Sequence, residues 1–516
     1  MKKAISALMI SSAMLTPIIS VAFAETEEQV LNVAIGADIR GTNPGVNRDG
    51  TTDTIHMHLV EGLVAYGEDF SIVPMLAESV EQSDDGLTYT FKLRQDVSFH
   101  NNETMKAEHV KWSWDRYMKP ETNWRCRNYF TGKRGVEVTS VDVIDDYTVQ
   151  FKLAEPSAIF LGNLARFDCG STAILHPDSV DADGNWLKPV GTGPFILDKH
   201  KPGSMLELVK FENYSSLDIP RSGYGGKKEV LFDRLRVFVL SEASIVKAAY
   251  LAGDIDVAGI EPSDVVELEG APNTRLDVAE TAIWDTLLIN SRDPLLKDKK
   301  MRQAIAHAIS REQVIDVITE GRGRANPSPV PPVSSFFSDT LWESLEYDPE
   351  KAKALLKETG YAGEPLEIVA SKRSGSYYQR ALIIQSMLSQ VGINAQLKVL
   401  EWGTQLDAYK KGTYQLQSFS YSPRLDPALS FEMITGDASR KVWKDEDAMT
   451  DLSQALAISD REKRQALIND LHRKFIDQVP AVGLGHRTSF YAVRDNVSGF
   501  QGWGAGKARY WGVKID

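Results

Sequence analysis

Cysteine is nearly absent from this chain: Cys126 and Cys169 are the only two in 516 residues. Two are too few for a disulfide scaffold or a cysteine-held zinc site. Nine histidines are scattered without metal-ligand spacing. His56 and His58, two residues apart in a helical pattern, point to different faces and are expected on the helix surface. No metal and no cofactor is expected. Catalytic signatures are missing too, with no Gly-x-Ser-x-Gly and no His-Glu-x-x-His. Ser244-Ile-Val-Lys247 fits the Ser-x-x-Lys form of acyl-transfer enzymes but has no Ser-Asp-Asn or Lys-Thr-Gly partner, and Lys411-Gly-Thr413 has the wrong order. Gly506-Lys507 resembles the end of a phosphate-binding loop, yet Gln501 stands where its first glycine belongs and Ala508 where its hydroxyl belongs. Without an assembled nucleophile, base or metal, no enzyme is expected. A secreted serine hydrolase acting through Ser244 is the alternative from another class.

Long apolar runs are confined to the start; later ones, such as Val237 to Leu240, have only strand length. Met1 to Ala24 carries Lys2 and Lys3, an apolar stretch, and Ala22-Phe23-Ala24, the pattern of a secretory signal peptide cleaved after Ala24. No cysteine lies near that point, so no lipid anchor is expected and the exported product should be free. Positive charge is in deficit: the formal net charge is −13, and losing the two signal lysines leaves −15. Such a chain is a poor partner for nucleic acid or an anionic membrane, and a monomer is expected. In an oxidising compartment, a Cys126–Cys169 bridge is expected, two separate buried thiols being the alternative. Length and a 42% hydrophobic content suggest about three domain-sized pieces.

What is present is α/β patterning. Leu31, Val33 and Ile35 alternate as a strand that empties into a loop carrying Arg40, Asn43, Arg48 and Asp49, and loops at strand ends are where small-molecule sites gather. Leu87 to Leu93 and Tyr147 to Leu153 alternate with period two, predicting a small antiparallel sheet between about Glu78 and Asp183. Gly191-Thr-Gly193 lacks the third glycine of a nucleotide fingerprint and reads as a tight turn. Leu276 to Ala279 and Ile283 to Asn290 read as two strands, and Lys300 to Gly321 as one helical stretch. Asp348-Pro349 starts a helix with Asp as N-cap and Gly360 as C-cap. Leu366 to Ala370, Tyr378 to Val391 and Ile393 to Leu400 form a strand–helix–strand unit, right-handed by expectation. Arg373, Trp402 and the dense stretch Tyr421 to Pro427 (Y-S-P-R-L-D-P) all arise at strand-end connections, a convergence that marks them as candidate binding residues. The aromatics Trp503, Tyr510 and Trp511 read as packing for a C-terminal return to the first lobe.

Glu61-Gly-Leu63, the run Leu87 to His100, Gly191-Thr-Gly-Pro-Phe195, Asn290 with Met301-Arg-Gln-Ala304, Tyr347-Asp-Pro-Glu-Lys-Ala352 and Gly392-Ile393 resemble, in order along the mature chain, the extracytoplasmic solute-binding proteins of the peptide, opine and nickel class (family 5) that serve ABC importers. The resemblance implies a two-lobed α/β periplasmic binding protein with a hinge and a subdomain inserted in the first lobe. Its boundaries would be lobe I at 25–77 and 184–285, the inserted subdomain at 78–183, lobe II at 286–483, and a return to lobe I at 484–516. Hinge crossings are expected near Ile283 to Arg292 and Val479 to Arg487.

In dipeptide-binding members, the resemblance implies, Arg373 takes a peptide carboxylate and Trp402 packs on the ligand. Aligning the Asp-Pro pair puts Pro423 at the amine-binding position with Arg424 beside it. Tyr421, Arg424, Asp426, Asn43 and Arg40 complete the expected site. Arg373 and Arg424 together would suit a solute with two acidic groups or one at each end; the alternative is that Arg424 pairs with Asp426 or another carboxylate. The implied function is capture of a short peptide or peptide-like, amino-acid-derived solute for an inner-membrane ABC permease, an opine-like conjugate or a metal chelate being the alternatives within the class.

Overall fold

A computed structural model describes residues 28–133, 135–372 and 375–516. The expected signal peptide, Met1 to Ala24, and Arg373 lie outside the described residues.

The frame is a ten-stranded sheet. From one edge its strands are Ala395–Val399, Leu366–Ala370, Leu416–Tyr421, Thr274–Ile289, Ala481–Arg494, Val257–Ile260, Val30–Ile35, Arg234–Val239, Met205–Lys210 and Phe195–Lys201. Two lobes hang on it. Leu31, Val33, Leu235 and Val237 pack in one core with the four-stranded antiparallel sheet around Phe91 and Phe151, and Trp503, Tyr510 and Trp511 are buried in the same core. Ile289, Ile305, Ile368 and Leu416 form a second core, and Trp284, Phe419, Phe431 and Phe475 a third beside it.

The two long strands Thr274–Ile289 and Ala481–Arg494 run antiparallel from Thr274↔Arg494 to Leu288↔Ala481 and link the lobes. Sequence periodicity divides the first of these into two strands; in the structure it is one strand of 16 residues, because the pairing only shifts register between Glu280 and Trp284 and again between Asp285 and Thr286. An irregularity of this kind bends a strand without ending it. The stretch from Lys300 to Gly321 is the opposite case. It is two helices, Lys299–His307 and Arg311–Ile318, because the Ser310 hydroxyl accepts the Gln313 N–H and caps a new start.

Local signals hold where they are chemically specific. The helix Pro349–Thr359 is capped by the Asp348 carboxylate, which accepts the Lys351 N–H, and ends at Gly360 with φ 71°. Leu366–Ala370 and Ala395–Val399 pair in parallel around the helix Gly375–Gln390. Thr88–Leu93 and Thr148–Leu153 pair antiparallel in the four-stranded sheet. Gly193 is not needed for a turn but for close approach: a Cβ there would meet the Leu59 carbonyl carbon at 2.5 Å. His56 and His58 are buried rather than on the surface, since the helix Gly50–Leu59 is covered on both of the faces they use. His56 Nε2 meets the Gly41 carbonyl, His58 Nδ1 the Thr54 carbonyl, and the His58 ring stacks on Tyr510. Burial pushes both imidazoles down, to about 4 and about 3, so they stay neutral.

Glu280 sits at the first register shift with its Oε1 buried and, among the described residues, unpartnered. Burial, opposed only by Arg324, pushes its carboxyl up to about 7. A folded-state value raised above the ordinary 4.5 means that the folded chain gains a proton first, so stability falls as pH rises from about 4.5 to about 7. Glu280→Gln is therefore expected to stabilise the protein by roughly 1–3 kcal/mol at pH 8 and to change little at pH 4. Thermal denaturation of both proteins at the two pH values measures it; an equal effect at both would show that ionisation is not the cause.

Candidate functional site

Where the lobes meet, a cavity of about 420 Å³ is lined from both sides, a volume typical of small-molecule sites. The first lobe contributes Arg48, Asp53, Arg125, Arg166, Asp168 and Lys507, with the rings of Tyr66, Tyr129 and Phe167; the second contributes Ser422, Pro423, Arg424, Leu425 and Leu429, and Ile283 from the linking strand closes the floor. Leu425 packs within the first lobe's core, with Leu429 against it, so the loop at 422–425 bridges the gap.

Chain geometry explains why charge gathers here. Asp53 stands in the first turn of the helix Gly50–Leu59, where an acid is favoured, and binds Arg48 through both nitrogens of its fork. Cys126 and Cys169 form a disulfide, and each has a charged neighbour in sequence: Arg125 reaches Asp168 at 3.2 Å, so the bridge holds that pair in place. Arg166 grips the same Asp168 through two bonds of 2.9 Å and lies 4.4 Å from the Tyr129 ring centre. Burial pushes the Asp168 carboxyl up, but Arg166, then Arg125 and Arg48, outweigh it and hold it well below the usual range. Lys507 donates to the Gly50 carbonyl at 2.6 Å and stands 3.9 Å from Asp53.

Arg424 differs from these cations. Its Nη1 donates to the Ser422 and Pro423 carbonyls at 3.1 and 3.0 Å, and among the described residues no carboxylate pairs with it. Burial, then the Arg166 charge across the cleft, pushes its guanidinium below its ordinary value.

Other expected site residues lie elsewhere. The Asp426 carboxylate is taken: it accepts two bonds from Arg464 at 2.7 and 2.8 Å and caps the helix Pro427–Glu432 through Ala428 N–H and Leu429 N–H. Among the described residues no bond joins Arg424 to Asp426. Asp426-Pro427 repeats the helix-start signal of Asp348-Pro349, which was the available clue to its role. Tyr421 is a core residue stacked on Trp284 at 5.8 Å. Arg40 is exposed and paired with Asp49, and Asn43 accepts from Arg116; neither lines the cavity. Trp402 packs against Tyr377 and Phe419 and is not among the residues that line the cavity. Sequence reading missed Asp53, Arg125, Arg166 and Asp168; Arg125 and Asp168 were marked only by standing next to the two cysteines. It weighed Gly506-Lys507 only as a phosphate loop.

The Ser-x-x-Lys reading fails on geometry. Lys247 is bonded to Asp264 and Glu267, both at 2.8 Å. Those bonds raise its pKa, opposite to what a general base needs.

Residues 71–441 match the family model described as bacterial extracellular solute-binding proteins, family 5 Middle. The chain belongs to this family. It is 29% identical over 507 residues to the dipeptide-binding protein of Escherichia coli K12, covering 92% of each chain. HbpA2 from Haemophilus parasuis superposes with a TM-score of 0.80 at 25% identity, over 94% of this chain and all of that one. The periplasmic binding protein DppA from Helicobacter pylori, in complex with the peptide STSA, gives a TM-score of 0.74 at 26% identity over 95% and 98%. The family is one of solute binding for transport, and the two-lobed fold is that of its members. No helix among the described residues is long and apolar enough to cross a membrane.

Proposed function

We propose that this member of family 5 captures a short peptide or peptide-like, amino-acid-derived solute between its lobes and presents it to an inner-membrane ABC permease, acting as a periplasmic monomer. The observation that carries this reading is Arg424: a cation without a carboxylate partner among the described residues, on the wall of a solute-sized cavity, in a family that binds solutes. The hinge of this reading lies in the two long strands near their register shifts. A solute that touches both lobes favours the closed form by its differential affinity, and the permease can then distinguish loaded from empty protein.

A specific observation favours an opine-like conjugate over a plain dipeptide. A free amino terminus needs an acid; Pro423 stands at the expected position, Asp426 is committed to Arg464, and the cavity's own acids, Asp53 and Asp168, are held by Arg48 and Arg166. Native mass spectrometry of protein purified from its own host tests the reading, the expected result being a bound solute of a few hundred daltons, released intact. A product of cleavage in its place would overturn it. Arg424→Ala should weaken binding of that solute by roughly 1.5–3 kcal/mol, the range for a hydrogen bond to a charged group. Unchanged affinity in calorimetry removes Arg424 from the site.

A further inference from the structure

We propose that the cleft selects a solute whose buried end is doubly anionic, such as a pair of carboxylates or a phosphate monoester. This rests on the reading of the cavity as the solute site and names the charge that site requires.

The argument is a charge balance. Five cations line the cavity, Arg48, Arg125, Arg166, Arg424 and Lys507, against two carboxylates, Asp53 and Asp168. Both carboxylates are already shared. Asp168 serves Arg166 and Arg125, while Asp53 is bound by Arg48 and has Lys507 at 3.9 Å. Among the described lining residues the cations exceed the carboxylates by three, one of the five, Arg125, being half exposed to water, within a mature chain of net charge −15. An isolated cation withdrawn from water is costly unless an anion joins it. Here burial followed by neighbouring charge already depresses the guanidinium of Arg424, and burial does the same to the amine of Lys507. Two negative charges reduce the excess to one, the balance a solvated rim can carry. One carboxylate leaves two cations facing each other across closing lobes.

Arg424 and Arg166 lie on opposite lobes, so an anion between them bonds to both and is held only when the lobes meet. Arginine suits this role, because its planar fork matches either a carboxylate or a phosphate. A zwitterionic peptide brings one carboxylate and an ammonium that would add to the excess.

The test uses the full mature protein with succinate, inorganic phosphate and alanyl-alanine as probes in calorimetry and thermal-shift titrations. Succinate or phosphate is expected to bind at least about tenfold more tightly than alanyl-alanine, the factor equivalent to one charged hydrogen bond, and to weaken as salt rises. The comparison between succinate and phosphate separates the two chemistries. Arg424→Glu, which inverts the charge on the second lobe, should abolish the preference. Alanyl-alanine binding as tightly as either dianion, or no binding of either dianion at millimolar concentration, overturns the proposal. Neither result touches the receptor reading, which stands or falls on the solute recovered by mass spectrometry.

Discussion

Lys228→Met is expected to destabilise the first lobe by about 3–5 kcal/mol, the usual cost of removing one partner of a buried ion pair. Lys228 and Glu61 are both almost fully buried, and Lys228 Nζ lies 2.7 Å from Glu61 Oε1. The carboxylate also accepts from the Tyr214 hydroxyl at 2.9 Å and the Thr192 hydroxyl at 3.1 Å. The ammonium lies 3.9 Å from the Tyr224 ring centre and 5.1 Å from that of Trp511. Methionine preserves most of the volume, so the loss is electrostatic rather than a cavity. Two neutral hydroxyls cannot neutralise Glu61, so its charge is left buried and uncompensated. The double variant Glu61→Gln/Lys228→Met should regain much of the loss even at neutral pH. Urea denaturation of the single and double variants at pH 8 measures both effects. A cost below about 1 kcal/mol at pH 8 would place this pair with exposed salt bridges, which contribute little.

This pair also explains why the family is legible in sequence while its site is not. Glu61 belongs to Glu61-Gly-Leu63 and Thr192 to Gly191-Thr-Gly-Pro-Phe195, segments 131 positions apart that meet at one hydrogen bond. These two recognisable words are thus packing words: they record how the first lobe closes on a buried charge. Cap signals such as Asp348 and Gly360, and alternations such as Thr88–Leu93, are legible because the physics is local. The cleft is not local. Arg48, Arg125, Arg166, Arg424 and Lys507 come from five separate segments, and nothing in the spacing of those segments says that they converge. Local density misled in the same way at Tyr421 to Pro427. Of its three most chemical side chains, one is core, one is a helix cap tied to Arg464, and only Arg424 reaches the cavity.

The link between site and hinge runs through Asp285, and Asp285→Ala is expected to cost about 3–5 kcal/mol. Asp285 lies on the long strand Thr274–Ile289 beside its second register shift. Its Oδ1 is 2.8 Å from Arg380 Nη1 and 3.4 Å from Arg487 Nη2, and it accepts from the Ser420 hydroxyl. Three elements therefore meet on one carboxylate: the helix Gly375–Gln390, the second linking strand and the strand Leu416–Tyr421 that leads to Arg424. Burial pushes this carboxyl up, but Arg380 and then Arg487 outweigh it, and its value lies below the ordinary 3.8. A depressed folded-state value means that its contribution is full above about pH 4 and is lost as pH falls through the folded value. The variant should thus be clearly weaker than the parent at pH 7 and converge on it in acid. Arg487 is partly exposed and can turn to water, whereas Arg380 has no exposed surface and cannot. Adding Arg380→Met to Asp285→Ala should accordingly recover stability, and adding Arg487→Met should not. Recovery with neither would show that Asp285 acts through packing alone.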